Sequence, residues 1–169
     1  MDFLALAESR YSVRKFSGRP VEEEKIAAVL EAGRLAPTAR NFQPQRIFLV
    51  RSEEAMEKYR ACTPCHYGAP VGLVVCYDKN TCYRKDGGKD SGDIDCSIVI
   101  THMMLEAEEQ GLGSTWLLRF DAEAVKKLFA LPEELEPVSL LNIGYAAEDA
   151  APSPMHTDRK PLTETVITL

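Results

Sequence analysis

Two guanidiniums and a hydroxyl stand at alternate positions in Arg10-Tyr11-Ser12-Val13-Arg14. In an extended segment, residues i, i+2 and i+4 share one face, so Arg10, Ser12 and Arg14 could converge on a single anion. Arginine forks suit phosphate, and a hydroxyl adds a donor. The same spacing also describes two solvated surface arginines beside a helix end, which contribute little. Arg159 and Lys160, near the other end of the chain, could supply more phosphate charge.

A second cluster, Ala36-Pro37-Thr38-Ala39-Arg40-Asn41-Phe42-Gln43-Pro44, is a helix stop followed by small and amide side chains. Asn41 and Gln43 each offer donor and acceptor groups, which suits the edge of a heterocycle bearing both. Asn and Pro between a helix and a strand are also ordinary loop chemistry. In Gly111-Leu112-Gly113-Ser114-Thr115-Trp116-Leu117-Leu118-Arg119 the glycines permit a tight exit from a long helix. Taken alone, Gly111 reads as a helix C-cap, and Trp116 as a core side chain before a stacking partner.

Cys62-Thr63-Pro64-Cys65 has the C-x-x-C spacing that can lower a thiol pKa and close a small disulfide. Its place between a helix and a strand lacks a clear redox-helix context, which favours incidental thiols over a redox or substrate-proximal role. Zinc would need about four ligands, and His66 is the one adjacent histidine, so no metal is expected. Gly87-Gly88-Lys89-Asp90 is not a Walker loop, because Tyr83 stands where a glycine is needed and Asp90 replaces the Ser or Thr. Asp93 and Asp95, two apart at a helix start, read as capping and dipole residues ahead of paired catalytic acids.

These groups need a scaffold, and hydrophobic periodicity supplies one. Ile26, Val29, Leu30 and Gly33 fall at helical spacing behind Glu22 to Glu24, and Pro37 ends that helix. Ile47 to Val50 and Val71 to Tyr77 read as buried strands, separated by a polar helix from about Glu53 to Arg60. Asp78 to Gly92, rich in Lys, Asp and Gly, reads as a mobile loop or lid. A long central helix follows, capped by Asp93 or Asp95, with Ile98, Met104 and Leu105 on one side and Gly111 closing it. Ser114 to Leu118 reads as a strand, Asp121 as the cap of a helix through Phe129, and Pro137 to Tyr145 as holding the last strand before a Pro-rich tail. Helices alternating with about four strands predict an α+β (mixed α/β) fold, a mixed sheet with helices packed on it.

With 169 residues and 45% hydrophobic content, the chain suits one domain, residues 1–169, with a genuine core. Its net charge is −6 and its basic residues are scattered, which argues against nucleic acid and anionic membrane as partners. No apolar run approaches the roughly 20 residues that span a bilayer, and Met1 to Ala7 lacks the basic start of a signal peptide. Five cysteines in a chain able to fold without staples fit thiols in a reducing compartment, so a cytoplasmic location is expected.

In order, these clusters resemble the nitroreductase family of FMN proteins: Arg-x-Ser-x-Arg, then Ala-Pro-Thr-x-x-Asn-x-Gln-Pro, an Asp-led helix into Gly-Leu-Gly-Ser-x-Trp, Gly144-Tyr145, and a final Arg-x-Pro-Leu. The resemblance runs from Glu8 to the C-terminus. It implies a mainly antiparallel central sheet flanked by helices, a homodimer, and FMN reduced by NADH or NADPH. Arg10, Ser12 and Arg159 would hold the FMN phosphate, with Tyr11 in the same segment and Lys160 as a neighbour. Arg14 would lie near the N1/O2 side of the isoalloxazine, where a fixed cation raises the flavin potential. The backbone of Trp116, Leu117, Leu118 and Arg119 would border the N5 edge, although many relatives have a glycine where Leu118 or Arg119 stands. Pro37, Thr38, Ala39 and Asn41 would reach the flavin of the partner subunit.

The implied activity is ping-pong transfer of reducing equivalents from NAD(P)H to a small organic acceptor such as a nitroaromatic or quinone, with no catalytic side chain beyond the flavin itself. The acceptor pocket would be built from Ala61 to Gly68 and Asp78 to Gly92. Two competing readings are a flavin store, sensor or interaction module without turnover, and a specialised reductase for an enone or a halogenated aromatic.

Overall fold

A computed structural model describes residues 2–85 and 88–169. Its axis is the apolar run Val71–Asp78 (β2), flanked by Gln45–Val50 (β1) and Leu135–Gly144 (β4), with Gly113–Leu117 (β3) outside β4. The order is β1-β2-β4-β3, and all three pairings are antiparallel. A parallel bridge from Ser12 to Ser114 docks the extended segment 10–16 alongside β3. The mainly antiparallel sheet implied by the family resemblance is therefore what forms.

Strand periodicity divides the core into two layers. Val71, Leu73, Val75, Tyr77, Leu141 and Ile143 face Glu23–Leu35 (α2) and Gly92–Glu109 (α4), while Val74, Cys76 and Leu140 face Glu53–Cys62 (α3) and Ala122–Leu128 (α5). Each fully buried aliphatic of this kind stabilises by about 1.5–3 kcal/mol. Two short helices, Phe3–Ser9 (α1) and Leu162–Thr165 (α6), complete the set. The caps follow local chemistry: Ser52 accepts from the Ala55 N–H at 3.3 Å and Asp121 from the Ala124 N–H at 2.9 Å. Among the described residues, no helix is long and apolar enough to cross a membrane.

Three expectations change. Ser91 precedes α4, so Asp93 and Asp95 sit inside its first turn and neither is the cap. The stripe of α4 that turns inward is Cys96, Val99, Ile100, Met103 and Ala107, whereas Ile98, Met104 and Leu105 are half-buried. Apolar residues occur on more than one side of this helix, which leaves its period ambiguous. The segment expected as a mobile loop or lid is a small hairpin. Asp78 belongs to β2, Arg84 bridges Asp90, and the Lys85 N–H donates to the Lys89 carbonyl at 2.8 Å. Its Tyr83 ring meets Phe42 with centroids 6.4 Å apart. Asp86 and Gly87, which the same expectation covered, lie outside the described residues.

Candidate active site

The extended segment 10–16 docks on β3. The Val13 N–H donates to the Ser114 carbonyl at 3.0 Å, and the Thr115 hydroxyl donates to the Val13 carbonyl. Gly113 makes this approach possible, since a Cβ there would stand 2.5 Å from Val13 Cγ2. Val13 is consequently buried while Ser12 and Arg14 turn outward, the alternation the extended segment required. Arg10, Tyr11, Ser12 and Arg14 line a small cavity of about 160 Å³ together with Ser153, Met155, His156 and Arg159.

The far wall of this cavity is built by the tail. A short turn, Pro154–His156, starts at Ser153, and His156 Nε2 lies 3.0 Å from the Glu8 carbonyl, with its ring edge-on to Tyr11 at 6.1 Å. Arg159 donates to the Asp158 carbonyl at 2.9 Å. Neither Arg10 nor Arg159 has a carboxylate partner among the described residues. Unneutralised guanidiniums lining one small polar cavity fit a phosphate-sized anion. Lys160 is outside the lining, 75% exposed and 3.8 Å from Glu164. Ser153 and His156 were not anticipated, and a tail without periodicity gave no signal for them.

On the other side of Arg14 stands Tyr67, whose phenol interacts with both the Arg14 guanidinium and the Cys65 thiol. The Cys65 hydrogen bond and burial push the phenol above the ordinary tyrosine value, while Arg14 opposes the shift. Tyr67 has a left-handed backbone (φ 52°), and its carbonyl accepts the Phe16 N–H at 3.2 Å, which ties this turn to the segment 10–16. A buried relay holds the preceding residues: Tyr59 donates to Asn142 Oδ1 at 2.9 Å, and Asn142 Nδ2 donates to the Cys65 carbonyl at 3.0 Å.

Next to this turn lies a wider cavity of about 890 Å³, lined by residues 60–64, His66 and residues 118–121. Of the two segments expected to build an acceptor pocket, Ala61 to Gly68 and Asp78 to Gly92, this cavity is lined by residues 61–64 and 66 of the first and by none of the second; Leu118 to Asp121 form its other wall. Of the N5-edge candidates, Leu117 points into the core at 5% exposure, whereas Leu118 is 67% exposed. Trp116 is 38% exposed and borders a groove with Ile94 and Ile98, which corrects its assignment to the core.

Pro37, Thr38, Ala39 and Asn41 line neither cavity. They form a tight turn in which Arg40, Asn41 and Gln43 have φ of 53°, 57° and 52°. Asp95, only 2% exposed, fixes the turn by accepting the Ala39 N–H at 2.8 Å and the Ser91 hydroxyl at 2.7 Å. The Thr38 hydroxyl oxygen accepts the Gln43 N–H at 3.0 Å.

The sequence matches the Nitroreductase family over residues 7–63 and 62–145. The chain belongs to the nitroreductase family. A crystal structure of a nitroreductase family protein from Clostridium difficile 630 is 40% identical, covers all of both chains and superposes with a TM-score of 0.93. A Methanothermobacter thermautotrophicus protein with a provisional NADH dehydrogenase/NAD(P)H nitroreductase name is 35% identical over 158 residues, 88% of this chain and 80% of that one. At 22% identity, a Staphylococcus epidermidis structure shares the fold, with a TM-score of 0.86 over 99% of this chain and 96% of that one. Within this nitroreductase-family chain the C-x-x-C thiols are unlike each other. Cys62 is buried, donates to the Lys58 carbonyl at 3.2 Å and is pushed up to about 11 by burial and by Asp121. Cys65 is the one cysteine of the five that is not buried, and all five are free thiols.

Proposed function

We propose that this nitroreductase-family chain is an FMN-dependent oxidoreductase that passes reducing equivalents from NAD(P)H to a small organic acceptor. The observation that carries the reading is the cavity where Arg10, Ser12 and Arg159, from opposite chain ends, meet without carboxylate partners. These residues fit a terminal phosphate, and no Gly-x-Gly-x-x-Gly site for an adenine dinucleotide is present in the sequence. FMN, when bound, supplies hydride uptake from the nicotinamide and its release to the acceptor. Arg10, Ser12 and Arg159 would bind and orient it, and Arg14, which interacts with Tyr67, would supply a fixed cation that favours the negative charge of the reduced form. The backbone from Trp116 to Arg119 would border the reacting edge, and the cavity lined by residues 60–64, 66 and 118–121 would receive the acceptor.

The working unit is a homodimer in the cytoplasm. Phe3, Leu4, Ile94, Leu162, Val166 and Ile167 are exposed apolar side chains that a second copy would cover. In that dimer Pro37, Thr38, Ala39 and Asn41 of each chain serve the flavin of the other. The test is the visible spectrum of the purified protein followed by anaerobic titration with NADH and NADPH. A yellow protein that releases FMN on heating and bleaches with a nicotinamide is expected. Recovery of FAD, or an apoprotein that ignores added FMN, would overturn the reading. Bound FMN without steady-state turnover of a nitroaromatic or quinone would favour a flavin store or sensor.

A further inference from the structure

The cavity beside Leu118 and Arg119 contains more cationic donors than it uses. Arg60 is paired with Glu53 at 2.8 Å; the Asp121 carboxylate caps its helix at the Ala124 N–H (2.9 Å) and keeps its negative charge, but among the described residues it forms no ion pair with Arg119. The Thr63 hydroxyl donates to the Arg119 carbonyl at 2.7 Å, which fixes the backbone of Arg119 but leaves its guanidinium unused. Among the described residues that guanidinium has no hydrogen-bond or ion-pair partner. His66 is a second unused donor: its Nδ1 accepts the Gly68 N–H at 3.2 Å, so in the neutral ring the proton sits on Nε2. Around these donors the lining is apolar, with Pro64, Cys62, Leu118 and Phe120. At about 890 Å³ the space suits a small organic molecule.

Taking the chain as the flavin reductase proposed above, we infer that this cavity selects acceptors carrying an anionic group, a planar organic acid whose carboxylate engages Arg119 and His66. A guanidinium fork matches a carboxylate in plane and in donor spacing. The apolar lining of Leu118 and Phe120 covers the rest of such a molecule. The phosphates of a nicotinamide dinucleotide are the other source of anionic oxygen. They are separated from the nicotinamide ring by a ribose, whereas Arg119 lies in the segment that borders the reacting edge. A cation so placed meets a substituent of a small acceptor.

The experiment compares 4-nitrobenzoate with 4-nitrobenzamide, which share shape and differ in charge, on the FMN-loaded protein. The ratio of their kcat/KM values is expected to favour the acid by about tenfold, to fall near unity in Arg119→Gln and to persist in part in Arg119→Lys. This ratio is insensitive to any general loss of rate in the variants. Calorimetric binding of 4-nitrobenzoate should weaken about tenfold in Arg119→Gln and to a lesser degree in His66→Phe. A wild-type ratio at or below one, or a preference for the acid that survives Arg119→Gln, would overturn the inference. So would a variant in which the KM for NADPH rises while the ratio is untouched. Calorimetry does not depend on turnover: binding that requires Arg119 in a protein that oxidises no nicotinamide would sink the reductase reading and leave the anion site standing.

Discussion

Replacing Asp95 with alanine removes one buried acceptor that serves two donors, the Ala39 N–H and the Ser91 hydroxyl. A buried donor left without a partner costs about 1–3 kcal/mol. Here the hydroxyl can rotate, and Ala39 is half-buried, so each loss falls at the lower end of that range. Asp95→Ala should therefore destabilise by about 2 kcal/mol, and Asp95→Asn, which keeps an acceptor oxygen without charge, by about 1 kcal/mol. With a urea m-value near 2 kcal/mol/M, the alanine midpoint falls by about 1 M. Unfolding must be followed at fixed protein and FMN concentrations, because association and ligand both shift the midpoint. Ala39 opens a turn with three left-handed residues, and its N–H is held by Asp95 of α4, so flavin affinity should drop along with stability, by about tenfold. An alanine variant whose midpoint stays within about 0.2 M of wild type would refute the reasoning.

Arg14→Ala should leave more FMN bound than Arg10→Ala yet lower the flavin midpoint potential and slow reduction by nicotinamide; an unchanged potential in the loaded variant counts against its role. Replacing Cys62 and Cys65 with serine should change activity by less than about tenfold, and at pH 8 iodoacetamide should label Cys65 well before Cys62, as peptide mass mapping would show. Glu22 is held down to about 2, chiefly by the Tyr145 hydroxyl that donates to it at 2.6 Å. Its contribution is present above the ordinary carboxylate value of 4.5 and is lost as pH falls through about 2, so Tyr145→Phe should move that loss to higher pH in a carbon-13 NMR titration. An unmoved Glu22 titration would dissociate the pair. Finally, Arg10→Glu and Asn41→Leu homodimers should each lose flavin, whereas random mixing should restore roughly a quarter of wild-type binding. Mass-confirmed mixed dimers that bind none would mean the two residues serve the same chain's site.

The sequence carried the eight main helices and strands because each has a period or a cap that depends on near neighbours. Asp121 capped its helix as expected, and the reading of β1 as Ile47 to Val50 fell two residues short of its observed start at Gln45. What was missed depends on distant partners. Asp95 looked like a cap because sequence shows its place at a helix start and not the Ala39 N–H 56 residues away. Trp116 looked like core because of its size, but on an edge strand its alternation with Thr115 and Leu117 puts it outward. The arginine face of the candidate site was legible from alternation alone, whereas the Ser153 and His156 wall required knowing that the tail returns to residue 8. The hairpin at 83–91 was hidden by a polar composition that describes loops and short hairpins equally well.

The return of residues 153–159 to residues 8–14 has a consequence for biogenesis. His156 reaches Glu8 across 148 residues, farther along the chain than any pair within the two core layers. Contacts of such long range form after local ones, since closing the loop between them costs entropy that no nearby contact repays. The two core layers that link residues 26 to 143 can assemble before residues beyond about 150 emerge during synthesis. The small arginine-lined cavity cannot, because Arg159 follows every residue of the two core layers. A nascent chain would therefore be largely folded before it could take up a phosphate-bearing cofactor, and uptake would report that translation had reached the tail.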